Sequence, residues 1–202
     1  MTTPEAPQYA DRCYRSSAGI GSGVLLLALI AWLGGDALVR GTGRTPWLAL
    51  AGALLVVPVV IAFTLRPAVW ASEDRLLVRN PFRTITLPWA SVEAVRAGYS
   101  SEVLAGGRKY QLWAIPVSLR QRKRAARRVT RDVAQGTPVM PGAGEEPLRA
   151  AADQAIVDLR DLAERCAGRD AAQGAPVVRW AYELLAPAGA GAVLLGALLA
   201  FA

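Results

Sequence analysis

The sequence predicts an α+β membrane protein: transmembrane helices plus a small antiparallel β-barrel or sandwich capped by a C-terminal amphipathic helix. Three observations predict it. Apolar residues make up 53% of the 202 and gather in three nearly charge-free blocks. Between the second and third blocks, residues 66–179 hold 19 of the 23 basic and 12 of the 16 acidic side chains, so this stretch alone carries the chain's net charge of +7. Within it, short β-branched and aromatic runs bounded by Gly, Pro and Asn give way to an apolar repeat of helical period. The predicted organisation is an N-terminal cytoplasmic segment (1–17), a two-helix transmembrane hairpin (18–65), a domain over 66–170 with an insertion at 118–146, and a C-terminal transmembrane helix (180–202).

The first apolar stretch runs from about Ala18 to Val39. Its uninterrupted part, Ile20–Leu33, gives only about 21 Å of helix, so a span of about 30 Å must enlist Gly34, Gly35 and the residues around Asp36. A secretory signal peptide is disfavoured, because Glu5 and Asp11 precede the apolar run and no convincing small-residue cleavage site follows. The second stretch, Trp47–Leu65, is free of charge, with Trp47 at one interface, Arg66 at the other and Pro58 mid-span. The third is Trp180–Ala202. Glu183 in its first turn and Asp36 near the end of the first helix can both reach the headgroup layer, which makes them interfacial rather than catalytic acids. Gly19 and Gly23, and the group Ala186, Ala190, Gly191 and Gly196, let helix backbones approach closely. Arg66 and Arg179 flank the basic central domain. The positive-inside rule therefore places that domain and the N-terminus in the cytoplasm, the C-terminus outside, and the protein in the cell membrane as a multi-pass chain.

In the domain, Leu76–Asn80, Arg83–Leu87, Val92–Tyr99 and Tyr110–Ile115 read as strands, separated by Asn80-Pro81, Pro88 and Gly106-Gly107. The Gly-Gly pair between Glu102–Leu104 and Lys109–Leu112 signals a hairpin. About six strands can be counted. After Pro147, Leu148, Ala152, Ala155, Ile156, Leu159, Leu162, Ala163 and Cys166 recur at helical spacing, with Asp153, Asp158, Arg160, Asp161 and Glu164 on the other face and Gly168 at the exit.

The run Val69–Val95 carries a resemblance. Arg79-Asn80-Pro81-Phe82-Arg83-Thr84, followed by Leu87-Pro88-Trp89-Ala90-Ser91-Val92, resembles bacterial PH-like domain membrane proteins of actinobacterial type. The resemblance implies two helices, a PH-like barrel closed by a helix, often a further C-terminal helix, and in most members no assigned biochemical activity. Two features depart from a full PH barrel: the strand count and the insertion before the helix. The basic strand-loop-strand pattern of phosphoinositide-binding PH domains is also missing. On physical grounds alone, Asn80-Pro81 makes a tight turn and Trp89 a large core anchor.

The candidate binding residues are Arg120, Arg122, Lys123, Arg124, Arg127, Arg128 and Arg131, seven basic side chains in twelve residues with no acid or aromatic among them. Such a run is a solvated face that holds the domain inside, a contact for anionic headgroups, or a phosphate contact for nucleic acid. Each basic residue near an anionic surface contributes about 1 kcal/mol, and the tether already supplies proximity. The missing aromatics remove the stacking platform of single-strand binders, which puts nucleic acid last. Residues 135–146, rich in Gly and Pro, read as a flexible linker.

Catalytic chemistry finds no constellation. The sequence has no histidine, which excludes imidazole triads and histidine metal sites, and Cys13 and Cys166 form no CxxC pair. No serine sits in a nucleophile elbow, and no Gly-rich loop carries a lysine. The expectation is a non-enzymatic membrane-anchored adaptor with neither cofactor nor metal. Its partners would be the bilayer and a protein or a second copy of itself. A tethered nucleic-acid binder is the alternative, with a small membrane enzyme or a transporter subunit behind it.

Overall fold

The computed structural model describes residues 12–97, 100–115 and 146–201, with backbone alone for 146–152. Among the described residues, three helices are long and apolar enough to cross a membrane: Ser17–Arg40, Thr45–Leu65 and Tyr182–Ala200, of 24, 21 and 19 residues. The first, α1 (Ser17–Arg40), starts where the Ser16 hydroxyl accepts from the Gly19 amide at 3.1 Å. It ends on an Asp36–Arg40 ion pair of 3.0 Å, so Asp36 is partnered within its own helix. The second helix is α2 (Thr45–Val60), which opens on Pro46 and passes Pro58 before a π turn at Ile61–Leu65. That turn is closed by Arg66 N–H to Ile61 O at 2.9 Å.

Both α1 and the last helix pack on α2 through small residues. A Cβ on Gly23 would lie 2.7 Å from Thr64 Cβ, and one on Gly191 would lie 2.4 Å from Leu55 N. Gly196, by contrast, has open space beside it.

Among the described residues, eight strands form two antiparallel sheets. They are β1 (Arg12–Tyr14), β2 (Ala68–Ala71), β3 (Arg75–Arg79), β4 (Arg83–Pro88), β5 (Val92–Ala97), β6 (Ser101–Ala105), β7 (Arg108–Gln111) and β8 (Val177–Trp180). The larger sheet has the order β1-β2-β3-β4-β8 and the smaller β5-β6-β7. A helix, α3 (Glu146–Cys166), packs on β5 and on the 3-10 turn Trp89–Ser91 that leads from β4 into β5, and α4 (Tyr182–Ala200) follows β8. One core joins the parts: Val69, Leu76, Val78, Ile85 and Leu87 from the larger sheet, Val95, Val103 and Tyr110 from the smaller, and Ile156, Leu159, Leu162 and Cys166 from α3. From Ala155 to Cys166 the apolar helical repeat thus faces the core as its spacing predicts, the side chains of Leu148 and Ala152 lying outside the described ones, and Cys166 is a small buried side chain. Trp89 is fully buried at the corner between the sheets, its indole N–H donating to Ser72 O at 2.8 Å. Gly106 and Gly107, both at positive φ, make the predicted hairpin turn between β6 and β7.

Three sequence expectations need correction. The sheets do not close into a barrel: β8 takes the free edge of β4, and the chain turns away at Pro88-Trp89 to begin the second sheet, giving the sandwich form of the expected fold. The strand predicted over Tyr110–Ile115 stops at Gln111, because Ile115 N–H turns back onto Leu112 O. Trp180, taken as the start of the third span, ends β8, and the helix begins at Tyr182. Strands β1 and β8 also bring into the sheet residues outside the predicted 66–170 domain. β1 runs directly into α1, β2 follows α2, and β8 leads into α4. All three long apolar helices therefore meet the larger sheet at one end of its strands.

Candidate functional site: the membrane end of the domain

At this end the chain places Arg66, two residues before β2. Its side chain is 13% exposed and reaches three elements. Nε donates to Asn80 O in the β3–β4 turn at 3.2 Å, Nη2 to Thr84 Oγ1 at 3.2 Å, and Nη1 pairs with Glu183 Oε1 at 2.7 Å. Arg66 is therefore more than a topology signal, since one guanidinium ties α2, the larger sheet and α4 together. Glu183 is the ion-pair partner of this junction. Arg15 adds a second tie by donating to Leu65 O at 2.9 Å.

Asn80 is buried for a reason that its turn propensity does not reveal. Its amide donates to Gln111 O at 2.8 Å and its Oδ1 accepts from Trp113 N–H at 3.4 Å, so a single side chain links the two sheets. Its backbone N–H meanwhile closes the turn on Arg83 O at 2.8 Å. The π turn of α2 presents Phe63 edge-on to Phe82 and to Trp113, with ring centroids 5.3 and 5.5 Å apart. Arg79 lies over Trp70 at 4.8 Å and Arg83 near Trp180 at 5.7 Å. Arginines and aromatic rings therefore mix where sheet and helices meet, the composition of a membrane interface.

A second cluster fastens the N-terminal strand. Asp158 on α3 pairs with Arg12 at 2.8 Å and accepts from the Tyr14 hydroxyl at 3.3 Å and from Gln154 at 2.9 Å. The Gln154 hydrogen bond and the Arg12 charge lower the Asp158 pKa, while burial and the Asp158 charge raise that of Tyr14. At the end of the sheet away from the three long apolar helices, Arg169 pairs with Glu73 and lies 3.7 Å from Asp74 in the β2–β3 turn. Among the described residues no group of three or more potential metal ligands comes together.

The basic run Arg120, Arg122, Lys123, Arg124, Arg127, Arg128 and Arg131 lies outside the described residues, as does the predicted linker up to residue 145, while Glu146, read as its last residue, begins α3. The structure does fix where that segment attaches. The chain leaves it at Ile115, two residues past Trp113 on the Phe63 ring. It returns at Glu146, the start of α3, whose other end lies near the Glu73–Asp74 turn.

A family model for the bacterial PH domain matches residues 66–187. The chain belongs to that family. The match takes in β2 to β8 and the beginning of α4, so β1 and the α1–α2 hairpin lie before the matched residues. No curated protein and no solved structure matches the chain. Membership agrees with a binding module, since PH-like domains generally bind rather than catalyse.

The residues that build the PH domain's membrane end were only partly legible in advance. Arg66 was marked by its place at the end of an apolar run, and Asn80 by the proline after it. Arg79 was marked only as the first residue of the run that carries the resemblance, and its meeting with Trp70 carries no local signal, because it depends on the pairing of β2 with β3.

Proposed function

We propose that this protein is a membrane-anchored, non-enzymatic PH-like adaptor of the bacterial cell membrane. Its PH domain lies on the cytoplasmic side and engages the anionic bilayer surface or a membrane-bound partner through the run Arg120–Arg131. The observation that carries the reading is the attachment of that run. It leaves the domain beside Trp113, which packs on the last turn of α2, so the distance from Ile115 to Arg120 is at most about 18 Å of extended chain. That bound applies to Arg120, the first of the run, and a run of seven cationic side chains tethered from this point meets a high local concentration of anionic lipid. Pairing of β1 with β2 keeps Arg12–Tyr14 with the domain, and the arginines of the junction favour the cytoplasmic face.

The test uses the full chain in nanodiscs, since an isolated 66–179 fragment would lack β1. With Cys13 and Cys166 replaced and a dye on Gly142→Cys, energy transfer to a headgroup acceptor reports how close the segment lies to the bilayer. Transfer is expected to be higher in nanodiscs containing phosphatidylglycerol than in phosphatidylcholine, and to fall with added salt. It should also fall on replacing Arg122, Lys123, Arg124, Arg127 and Arg128 with Gln. Equal transfer in both lipids rejects the bilayer reading, and displacement of the run by duplex DNA favours the nucleic-acid alternative.

A further inference from the structure

The outward face of the larger sheet departs from the pattern its position demands. A sheet face turned to water alternates polar residues outward, yet Trp70 and Leu77 stand side by side there, paired across β2 and β3, with Thr86 next to Leu77 across β4. These three, with Ser72, Arg75 and Arg79, line a groove of about 430 Å³, within the size range of small-ligand sites.

The chemistry of the groove has one sign. Arg75 and Arg79 flank Leu77 on the same face of β3, about 13 Å apart along the strand. No acidic residue lines the groove, and neither arginine has a carboxylate within ion-pair distance among the described residues; the Glu183 carboxylate, held by Arg66, lies outside the groove but close enough for its charge to act on Arg79. The Arg79 guanidinium rests on the Trp70 ring, which orients its planar fork while leaving its N–H groups unspent. The Ser72 hydroxyl is already engaged with Arg75 N and O, so it shapes the wall and binds nothing more. Arg79 also stands at the membrane end of β3, one residue from Asn80 and its Arg66 contact.

We infer that this groove is a binding site for a phosphate-bearing anion. Arg79 and Arg75 would supply forked N–H donors, with Trp70 and Leu77 as an apolar floor. Phosphate is favoured over a lone carboxylate because two guanidinium forks and the Thr86 hydroxyl offer more donors than a carboxylate can use. The phosphate can belong to a lipid headgroup entering at the Arg79 end or to a soluble phosphate ester. The inference uses no residue of the 116–145 segment and stands apart from the reading of the basic run.

Calorimetric titration of the full chain in neutral detergent micelles tests it, with pyrophosphate, dihexanoylphosphatidylglycerol, dihexanoylphosphatidylcholine and a hexa-aspartate peptide as probes. Saturable binding is expected for at least one of the first two. It should be kept by the variant carrying the five Gln substitutions in the basic run and weakened about tenfold or more by Arg75→Gln with Arg79→Gln. Arg79→Lys, which keeps the charge but loses the fork, should fall between. Binding of the lipid alone identifies a headgroup, and comparable binding of pyrophosphate identifies phosphate itself. No saturable binding of either overturns the inference. So does binding that survives the double substitution, or hexa-aspartate binding as tightly as the phosphates. An unchanged melting temperature in the double variant ties its loss to the groove, since both arginines lie outside the core.

Discussion

The two sheets of the PH domain are built from opposite kinds of connection. The β5-β6-β7 sheet is a run of consecutive strands, joined by short turns and covered by α3. The five-stranded sheet takes β1 from before the α1–α2 hairpin and β8 from just before α4, so both of its edges are continuous with membrane helices. Its completion depends on contacts far apart in sequence, Tyr14 with Val69 and Ile85 with Val178. The cost of closing such loops grows only slowly with their length, and α1 and α2, by returning the chain to its starting side, shorten the gap that β1 must bridge. The larger sheet and the membrane helices therefore form one unit, whereas the smaller sheet is local. Disturbing the bilayer segments should reach the first sheet before the second.

The largest expected effect comes where the sheets are joined. Trp89 fills the corner between them and holds the β2–β3 turn through Ser72 O. Trp89→Ala should cost about 3–5 kcal/mol, a large share of the stability of a domain this size. Thermal unfolding of the full chain in detergent measures the loss, and hydrogen exchange locates it. Exchange should rise in both β3 and β6; a rise confined to one would show that the sheets are stabilised separately.

The same contrast explains what the sequence revealed. The strands β3 to β7, the Gly106-Gly107 turn and the apolar face of α3 were legible because each is announced within a few residues, by alternation, by turn chemistry or by helical period. Trp89 was legible as an anchor because a large ring after Pro88 has few other uses. β1 and β8 were not. Arg12–Tyr14 is three residues with no alternation to read, and Val177–Trp180 merges into the apolar run of α4, where Trp180 looks like an interfacial residue. Both strands are made by their partners and not by local propensity. The junction followed the same rule. Arg66 stood out by position, while its convergence with Thr84 and Glu183 required the assembled sheet.

A smaller and more selective effect is expected from the helix pair α2–α4. Gly191→Ala places a methyl group 2.4 Å from Leu55 N, and backbone cannot move aside as a side chain end can, so the helices must separate. Overpacking of this kind costs about 1–3 kcal/mol. Gly196→Ala, with open space beside it, should be neutral or slightly stabilising through helix propensity. Because α4 carries β8, the Gly191 variant should loosen the β4–β8 pairing and leave β5–β7 protected, which hydrogen exchange on the two sheets can read. Equal loss of protection in both sheets would mean that the smaller sheet is not independent of the membrane helices.

The smallest effect concerns the other edge of the larger sheet, where β1 is held to α3 by groups that titrate. Asp158 has a lowered pKa in the folded protein, through Gln154 and Arg12, so its contribution is present above the ordinary carboxylate value of 3.8 and is lost as pH falls through the lower folded value. Tyr14 has a raised pKa, through burial and the Asp158 charge, so its contribution is present below 10.0 and is lost as pH rises through the higher folded value. Attachment of β1 should therefore be strongest between these limits and weaken on both sides. Melting curves of the full chain across pH, compared with those of Asp158→Asn and Tyr14→Phe, separate the two limbs from the titration of every other group. Asp158→Asn should be less stable than the parent at neutral pH, with the gap closing in acid, and Tyr14→Phe, which loses the hydroxyl donated to Asp158, should also be less stable at neutral pH, with its gap closing in strong alkali. A gap for Asp158→Asn that stays constant down to acid pH would show that the carboxylate charge does not hold β1, and that the Tyr14 ring packed against the core does so instead.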